Sequence, residues 1–400
     1  MNIPFSMPDV GQVEIDAMSE VVRSGWLTKG HVVNELERRI ESRLDVGGCV
    51  CVDSCTGALA TVLRLLDIGP GDEVITTPYT YTATAAVIHH VGAKIVFCDL
   101  AKDSFEMDYE KLGDLITPRT KAVIPVDIGG KMCDYKKMIE VLDAKNGCFE
   151  PSGVLQNMIG RVAVVADAAH SFSATQGSIA SGEAADFTCF SFHVLKVITT
   201  GGEGGAIVWK PIEGINDQQI KYTLKLLADA GQTSRGEGKL ENGWEYDVAL
   251  LGHNHIMTNI DAAMGMAQLD RLEGMAQRRI ITTLRYRDHL KGVAKMMIEH
   301  LPKDGSYQSA MHLMLVEIPG GEERRNAVYR EMDKAGIKCN VHYKPLPMFT
   351  AYKSLGYDIK AFPEAIGAFQ KVLSLPYHSR LRHEEVEYIC DTLKTVLQKV

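Results

Sequence analysis

The residues best suited to covalent chemistry lie in the segment 187–205. Ser191 and Lys196 follow a short apolar run and precede the glycine-rich stretch 201–205. If the run is a strand, both side chains lie at its carboxyl end, where open α/β sheets bind their ligands. A lysine amine can condense with an aldehyde, and a serine hydroxyl can donate to a phosphate. The pair therefore suits pyridoxal phosphate, although a single lysine is more often a solvated surface residue.

Asp167 ends a second apolar run, which occupies residues 164–166. A buried carboxylate beside a pyridine nitrogen keeps that nitrogen protonated, so the ring can accept the electrons of a substrate carbanion. The alternative is that Asp167 caps the helix that follows the strand. His170, three residues later, is close enough in sequence to reach the phenolic oxygen of the same ring, or it is a structural histidine.

Two upstream turns could hold the rest of such a cofactor. Residues 52–59 predict a strand, a turn of small residues and the start of a helix, where Thr56 and backbone N–H groups could bind phosphate. Small residues at such a turn also serve close helix packing. Tyr81 follows the next strand and could stack on the ring, at a gain of about 1 kcal/mol beyond burial. Alternatively, Tyr81 packs in the core beside Tyr79.

The elements that must position these residues form an α/β pattern. Short apolar runs alternate with helix-like segments from residue 50 to residue 210, which predicts a mostly parallel sheet covered by helices. A long helix over 259–290 then leads to a smaller α+β unit. Stretches 146–157 and 232–243 are predicted surface loops. The predicted strands are 50–52, 73–76, 94–98, 122–126, 162–166, 187–190, 206–209 and 312–317, and the last two helices are 324–335 and 384–398.

Composition narrows the classes of function. The 400 residues are 46% hydrophobic and 24% charged, which is typical of a soluble globular chain with a large core. The net charge is −8 and lysines and arginines form no dense run, so a nucleic acid partner is not expected. No apolar stretch of about 18 residues occurs and no secretion signal opens the chain, so a membrane location is not expected either.

Cysteine and histidine spacing adds two further expectations. The nine cysteines are scattered without a C-x-x-C pair, which favours a reducing cytoplasm. His89-His90 and His253-Asn254-His255 lack supporting cysteine or carboxylate ligands, so no metal site is predicted. The glycines at 201–205 do not follow the G-x-G-x-x-G order of a dinucleotide site.

Taken together, the segments resemble the DegT/DnrJ/EryC1/StrS sugar aminotransferase family of fold-type I pyridoxal-phosphate enzymes. The resemblance runs nearly end to end, and the order of the motifs carries it. They occupy residues 4–5, 24–30, 69–75, 167–170, 191–193 with Lys196, 252–254, 262–269 and 373–376. The resemblance implies a large cofactor-binding domain over 1–255, with a mostly parallel seven-stranded sheet, and a smaller α+β domain over 256–400.

The resemblance also implies roles for single residues. Lys196 corresponds to the Schiff-base lysine, which also moves the proton, and Asp167 to the partner of the ring nitrogen. Tyr81 corresponds to the stacking residue. Asn254 is similar to an asparagine that reaches the phosphate of the neighbouring subunit, which implies a homodimer with shared active sites. Phosphate contacts are implied for Cys55, Thr56 and Ser191.

The implied reaction moves an amino group from an amino acid, L-glutamate, to a keto-sugar, typically a nucleotide-linked sugar with a 3-keto or 4-keto carbon. The substrate would lie between the domains, and its predicted contacts are Trp26, Thr28, Lys29, His342 and Tyr343. Two alternatives stay open at this point. One is a keto-cyclitol as acceptor, and the other is a pyridoxal-phosphate-binding regulator without turnover.

Several positions depart from the family pattern. Ile256 stands where the family often has an arginine, and Met348 stands where a substrate-contacting histidine is frequent. Cys55 replaces a frequent glycine in the phosphate turn. These departures predict an unusual sugar. A related subgroup that deoxygenates sugars has histidine in place of the catalytic lysine, so the presence of Lys196 favours amino transfer.

Overall fold

A computed structural model describes residues 1–233 and 244–400, so the loop predicted at 232–243 lies mostly outside the described residues. The strands of the described residues are β1 (Gly48–Val52), β2 (Glu73–Thr76), β3 (Lys94–Phe97), β4 (Thr120–Ile124), β5 (Ala163–Asp167), β6 (Thr175–Gln176), β7 (Ile179–Ala180), β8 (Phe187–Ser191), β9 (Gly205–Trp209), β10 (Lys295–Met296), β11 (Tyr307–Gln308), β12 (Met314–Glu317) and β13 (Val372–Leu375).

The helices cover both faces of the main sheet and build most of the C-terminal part. In chain order they are α1 (Gln12–Ser24), α2 (His31–Glu41), α3 (Cys55–Leu65), α4 (Thr82–His90), α5 (Tyr109–Leu115), α6 (Tyr135–Ala144), α7 (Val154–Ile159), α8 (Asp217–Ala228), α9 (Asn259–Asp270), α10 (Leu272–Leu290), α11 (Gly321–Lys334), α12 (Thr350–Ser354), α13 (Pro363–Lys371) and α14 (His383–Lys399). Over the described residues, no helix combines the length and apolar character that a membrane crossing requires.

Seven strands form the central sheet in the order β1-β9-β8-β5-β4-β2-β3. β9 runs antiparallel to both of its neighbours, and the other adjacent pairs are parallel. Apolar side chains form one core with α2 and α6 and a second core with α3 and α4. Burial on both faces explains why apolar residues predominate in strands such as β1, β5 and β9. The seven predicted strands are confirmed, each within two residues of its observed bounds.

Two predictions were wrong in part. The predicted loop 146–157 contains the start of α7, because Gln156 is fully buried there and its side-chain amide donates to the Leu66 carbonyl (2.5 Å). The long helix over 259–290 is interrupted at Arg271, where φ is −102° and ψ is −1°. The Arg271 guanidinium leaves the helix surface to pair with Asp9 (2.7 Å) and Glu14 (2.5 Å). Side-chain contacts far apart in sequence override the local pattern at both places.

The C-terminal part has its own antiparallel sheet, β10-β12-β13, packed against α10, α11 and α14. Ile3 completes that core: it is 0% exposed, its N–H donates to the Gly336 carbonyl (2.8 Å), and its carbonyl accepts from the Lys338 N–H (3.0 Å). α9, which follows residue 256, packs against α1 and α2. The division into 1–255 and 256–400 stays a prediction.

Buried histidines make the fold sensitive to acid. Burial inside the core lowers the pKa of His300 to about 4, although the hydrogen bond from its Nε2 to the Leu313 carbonyl (2.9 Å) acts to raise it. Its Nδ1 lies 2.6 Å from Ser309 Oγ. An unfolded histidine has a pKa of about 6.5, so between that value and 4 the unfolded chain binds the extra proton. The contribution of His300 to the free energy of unfolding is therefore fully present above pH 6.5 and is lost as the pH decreases toward 4. At pH 5.5 the loss for such a group is about 1 kcal/mol.

We expect the melting temperature to fall between pH 7.5 and pH 5.5, and to fall less in His300→Gln, which has no group to protonate at that position. Differential scanning calorimetry at both pH values measures the two falls. The matched control is His90→Gln, since His90 is exposed. An equal fall in wild type and His300→Gln would rule out His300 as a contributor.

Candidate active site

A cavity of about 340 Å³ opens where the carboxyl ends of β5 and β8 meet the first turns of α3 and α4. Residues near 312, 342 and 377 from the C-terminal part close its other side. Nine of the residues singled out from the sequence line this cavity, namely Cys55, Thr56, Tyr81, Asp167, His170, Ser191, Lys196, His342 and Tyr343. The fold thus brings together side chains that lie up to 288 residues apart, from Cys55 to Tyr343.

Asp167 is the last residue of β5 and is buried. Its Oδ2 accepts from Thr84 Oγ1 (2.7 Å), and its Oδ1 accepts from the Ala169 N–H (3.2 Å). Burial raises the pKa of Asp167, while these hydrogen bonds and the nearby Lys196 act to lower it. A carboxylate enclosed in this way interacts strongly with a cation placed against it. A protonated ring nitrogen supplies such a cation.

Lys196 lies in the loop after β8 and faces the same cavity. Burial lowers the pKa of its amine, while Asp167 and Cys55 act in the opposite direction. The lowered pKa increases the fraction of neutral amine, which is the nucleophilic and basic form. The geometry therefore provides a lysine that can attack a carbonyl carbon and then accept a proton.

His170 is held in one tautomer by the backbone. Its Nδ1 accepts from the Gly129 N–H (3.2 Å), so the proton of the neutral ring is on Nε2, which lies 3.2 Å from Tyr343 Oη. Burial lowers the pKa of His170 well below its ordinary value, and Lys196 lowers it further. His170 is thus an uncharged donor at the cavity wall, which suits a phenolic oxygen.

The turn that leads into α3 supplies phosphate-binding groups. Ser54 caps the helix by accepting from the Gly57 N–H (3.0 Å), and the first N–H groups of a helix have no partner within it. Thr56 is exposed to the cavity. Ser191 Oγ accepts from the His193 N–H (3.3 Å), which leaves its own proton free to donate. These donors converge at the positive end of the α3 dipole.

Cys55 contributes to this turn differently from a simple phosphate ligand. Its Sγ lies 3.3 Å from the Cys189 carbonyl and 3.8 Å from Asp167 Oδ1. The side chain therefore faces the carboxylate, and the backbone N–H is the group left for phosphate. Gly205 explains the tight fit, since a Cβ there would lie 2.7 Å from the Cys55 nitrogen.

The structure distinguishes the two roles that the sequence left open for Tyr81, namely stacking on a ligand ring and packing in the core beside Tyr79. Tyr79 is the core residue, with 0% exposure and a hydroxyl that donates to the His342 carbonyl (2.8 Å). Tyr81 is 63% exposed and lines the cavity at the start of α4. Its ring is therefore available to stack on a flat ligand.

The remaining predicted residues lie elsewhere. Among the described residues, the lining of the Lys196 cavity does not include Trp26, Thr28, Lys29 or Asn254. Lys29 pairs with Asp229 and, with Ile256, lines a second cavity of about 360 Å³. Asn254 is exposed, and its backbone forms an isolated antiparallel β-bridge with that of Asp229.

Four lining or supporting residues were not predicted from the sequence. Thr84 holds Asp167, and its position one turn into α4, after Tyr81, was the available signal. His312 packs against His170 with ring centroids 4.4 Å apart and ring planes tilted by 41°, and Tyr377 lines the same wall. Phe5 lines the cavity and stacks on His342 (5.5 Å). No local pattern places Phe5, His312 or Tyr377 beside residues from the sheet.

The donor set fits pyridoxal phosphate. The α3 turn, Thr56 and Ser191 provide the phosphate donors, Asp167 provides the carboxylate for a ring nitrogen, and Lys196 provides the amine. When bound, that cofactor supplies an electron sink for carbanion chemistry.

Comparison with known proteins agrees with this arrangement. The sequence profile of the DegT/DnrJ/EryC1/StrS aminotransferase family matches residues 8–394. The chain belongs to this family. It is a pyridoxal-phosphate-dependent aminotransferase, and its general reaction is that of the sugar aminotransferases.

Individual relatives of this aminotransferase are similar over almost their whole length. The spore coat polysaccharide biosynthesis protein SpsC of Bacillus subtilis is 31% identical over 402 residues, which cover 99% of this chain and 97% of SpsC. The GDP-perosamine synthase of Caulobacter vibrioides is 30% identical over 397 residues, with 99% and 98% covered. Spr1654 of Streptococcus pneumoniae, assigned as a sugar aminotransferase and solved in its PLP form, is 41% identical with a TM-score of 0.95, and the match covers 100% of this chain and 99% of Spr1654.

Proposed function

We propose that this aminotransferase moves an amino group from L-glutamate to a nucleotide-linked keto-sugar at a 3-keto or 4-keto carbon. The observation that carries the proposal is the wall opposite Lys196, which is built of uncharged hydrogen-bonding groups. Burial lowers the pKa of His342 to about 3 and the pKa of His312 well below its ordinary value. Neutral imidazoles and the hydroxyl of Tyr343 match the hydroxyls of a sugar ring, whereas the Tyr377 hydroxyl already donates to the Arg279 carbonyl (3.1 Å).

Each residue has a defined task in this proposal. Lys196, whose amine pKa is lowered by burial, would hold the cofactor through that amine and would carry the proton that amino transfer moves. Asp167 stabilises the positive ring nitrogen, and Tyr81 holds the ring face. Thr56 and Ser191 hold the phosphate, and His170 donates to the phenolic oxygen. His342 and Tyr343 orient the acceptor.

Two relatives support, as the acceptor, a sugar that is later built into a polysaccharide. One relative is a GDP-perosamine synthase, and another takes part in spore coat polysaccharide biosynthesis. All nine cysteines are free thiols, which supports a reducing cytoplasm where nucleotide sugars are made. We therefore place the reaction in the supply of amino sugars for surface polysaccharide or a natural product.

A two-stage assay tests the proposal. First, holoenzyme is mixed with single amino acids, and the change in cofactor absorbance shows which donor reacts. Second, the aminated enzyme is offered a panel of keto-sugar nucleotides and keto-cyclitols, and mass spectrometry detects the aminated product. Amination of a keto-cyclitol alone would replace the sugar in the proposal. Reaction with another donor and no reaction with glutamate would replace the donor.

We also propose that Asn254 contacts the cofactor phosphate of the neighbouring subunit in a homodimer. Its exposure, and its absence from the cavity lining of the described residues of its own chain, support a role across an interface. In Asn254→Ala we expect the cofactor to dissociate about tenfold more readily, because a hydrogen bond to a charged group contributes about 1.5 kcal/mol or more. Equilibrium dialysis of pyridoxal phosphate measures the change. Asn157→Ala is the control, since Asn157 is exposed on α7, and equal affinity in both variants would exclude the contact.

A further inference from the structure

Three metal-ligating side chains from two helices meet on the surface of the C-terminal part. They are His289 in the last turn of α10, His383 at the start of α14 and Glu387 one turn later. One ligand atom of each lies within 4.8 Å of the ligand atoms of the other two. The imidazole rings of His289 and His383 have centroids 5.8 Å apart. The cluster lies outside the lining of the Lys196 cavity, so the proposed transamination does not use it.

The two helices that carry the cluster, α10 and α14, are held in place by the apolar core of the C-terminal part. α10 contributes Tyr286 and Leu290 to the C-terminal core, and α14 contributes Val386, Ile389 and Cys390 to the same core. Those residues flank the three ligands in sequence, so the helices cannot separate without exposing apolar surface. Only side-chain rotation is needed to bring the ligand atoms to the roughly 3.4 Å spacing that tetrahedral zinc with bonds of about 2.0–2.1 Å requires.

Charge also favours a cation at this position. Among the described residues Glu387 has no ion-pair partner, whereas Glu384 and Glu385, its neighbours on the helix, both pair with Arg382 (2.9 and 3.0 Å). His289 lies at the C-terminal end of α10, where the helix dipole is negative. The carboxylate and this helix end thus both attract positive charge.

We propose that His289, His383 and Glu387 form a binding site for a divalent transition metal of the zinc class. Two imidazole nitrogens and one carboxylate oxygen are zinc ligands, and the fourth position is left to water. The bound ion would tie the end of α10 to the start of α14. Its effect is on the stability of the C-terminal part, because a ligand that binds only the folded state raises its stability by mass action.

The test uses untagged full-length holoenzyme and zinc chloride as the probe. Isothermal titration calorimetry is expected to give one zinc ion per chain, with at least about tenfold weaker binding in His289→Ala and in Glu387→Gln, a loss of about 1.4 kcal/mol or more. His90→Ala, which removes an exposed histidine on α4, should bind zinc like wild type. Zinc should raise the melting temperature of wild type and of His90→Ala, but not that of the two cluster variants.

Two outcomes would overturn the proposal. One is the absence of zinc binding by wild type. The other is unchanged affinity in His289→Ala and Glu387→Gln, which would place any bound zinc on the thiols or the cavity residues. All substituted side chains are at or near the surface, so the variants should fold, and amino transfer in the absence of zinc verifies that they do.

Discussion

Replacing Lys196 by alanine is expected to lower amino transfer by about 10⁴-fold or more, since one group serves as both nucleophile and base. The phosphate donors, Asp167 and Tyr81 stay in place in this variant. Pyridoxal phosphate should therefore still bind, but without the visible absorbance band of the lysine-linked form. Single-turnover kinetics with glutamate measures the first effect, and an absorbance spectrum measures the second.

The matched control for this variant is Lys210→Ala. Lys210 follows β9, is exposed and does not line the cavity. Borohydride reduction of wild type and of the control should attach the cofactor to the peptide that contains Lys196. If Lys196→Ala keeps the lysine-linked band, or if reduction labels another peptide, the assignment of the lysine is wrong.

Replacing Asp167 by asparagine is expected to lower the rate by about 10³-fold while leaving the fold intact. The amide is nearly the same size. Its oxygen can replace Oδ1 as the acceptor for the Ala169 N–H, and its NH2 group can then donate to Thr84 Oγ1, whose hydroxyl oxygen is also an acceptor. The amide lacks the negative charge, so it no longer holds a ring nitrogen in the protonated form. Stopped-flow absorbance of the half-reaction with the amino donor isolates this step from acceptor binding.

A second variant separates charge from positioning. Thr84→Val removes the 2.7 Å hydrogen bond but keeps the carboxylate, so we expect a loss of only about tenfold. The order of the two rates is the informative result. If Asp167→Asn reacts as fast as Thr84→Val, the carboxylate acts by its shape and hydrogen bonds, and its charge contributes nothing to catalysis.

Much of the fold could be predicted because strands that are buried on both faces are recognisable in the sequence as short runs rich in apolar residues. β5 and β9 consist almost entirely of apolar residues, and their bounds were predicted within two residues. The break at Arg271 could not be found in this way, because its partners Asp9 and Glu14 lie more than 250 residues away in the sequence. Local periodicity contains no information on such partners.

The cofactor side of the cavity was predictable for the same reason. Asp167 ends β5 and Lys196 lies in the loop after β8, and carboxyl ends of parallel strands meet at one edge of the sheet. The substrate side was only partly predictable: His342 and Tyr343 line the cavity, whereas Trp26, Thr28 and Lys29 lie outside its lining. Those positions were inferred from resemblance, and nothing in their local pattern indicates which cavity they face.

The two departures from the family pattern now have locations. Ile256 lines the second cavity with Lys29, and Met348 packs against the apolar cluster that contains Tyr79. An arginine at 256 would add a cation beside the Lys29–Asp229 pair, and isoleucine adds none. Met348 places an apolar thioether in this cluster, where the histidine of other family members would place a polar ring. Among the described residues, the lining of the Lys196 cavity includes neither Ile256 nor Met348.

The position of Ile3 has a practical consequence for fragment expression and tagging. Because Ile3 fills the core of the C-terminal part and Phe5 stacks on His342, residues from the start of the chain complete that part. A recombinant fragment that begins at residue 256 would leave the Gly336 carbonyl and an apolar groove open to solvent, and it would be prone to self-association. Met1 is 60% exposed whereas Ile3 is buried, so an amino-terminal fusion that keeps residues 1–5 unchanged preserves this contact.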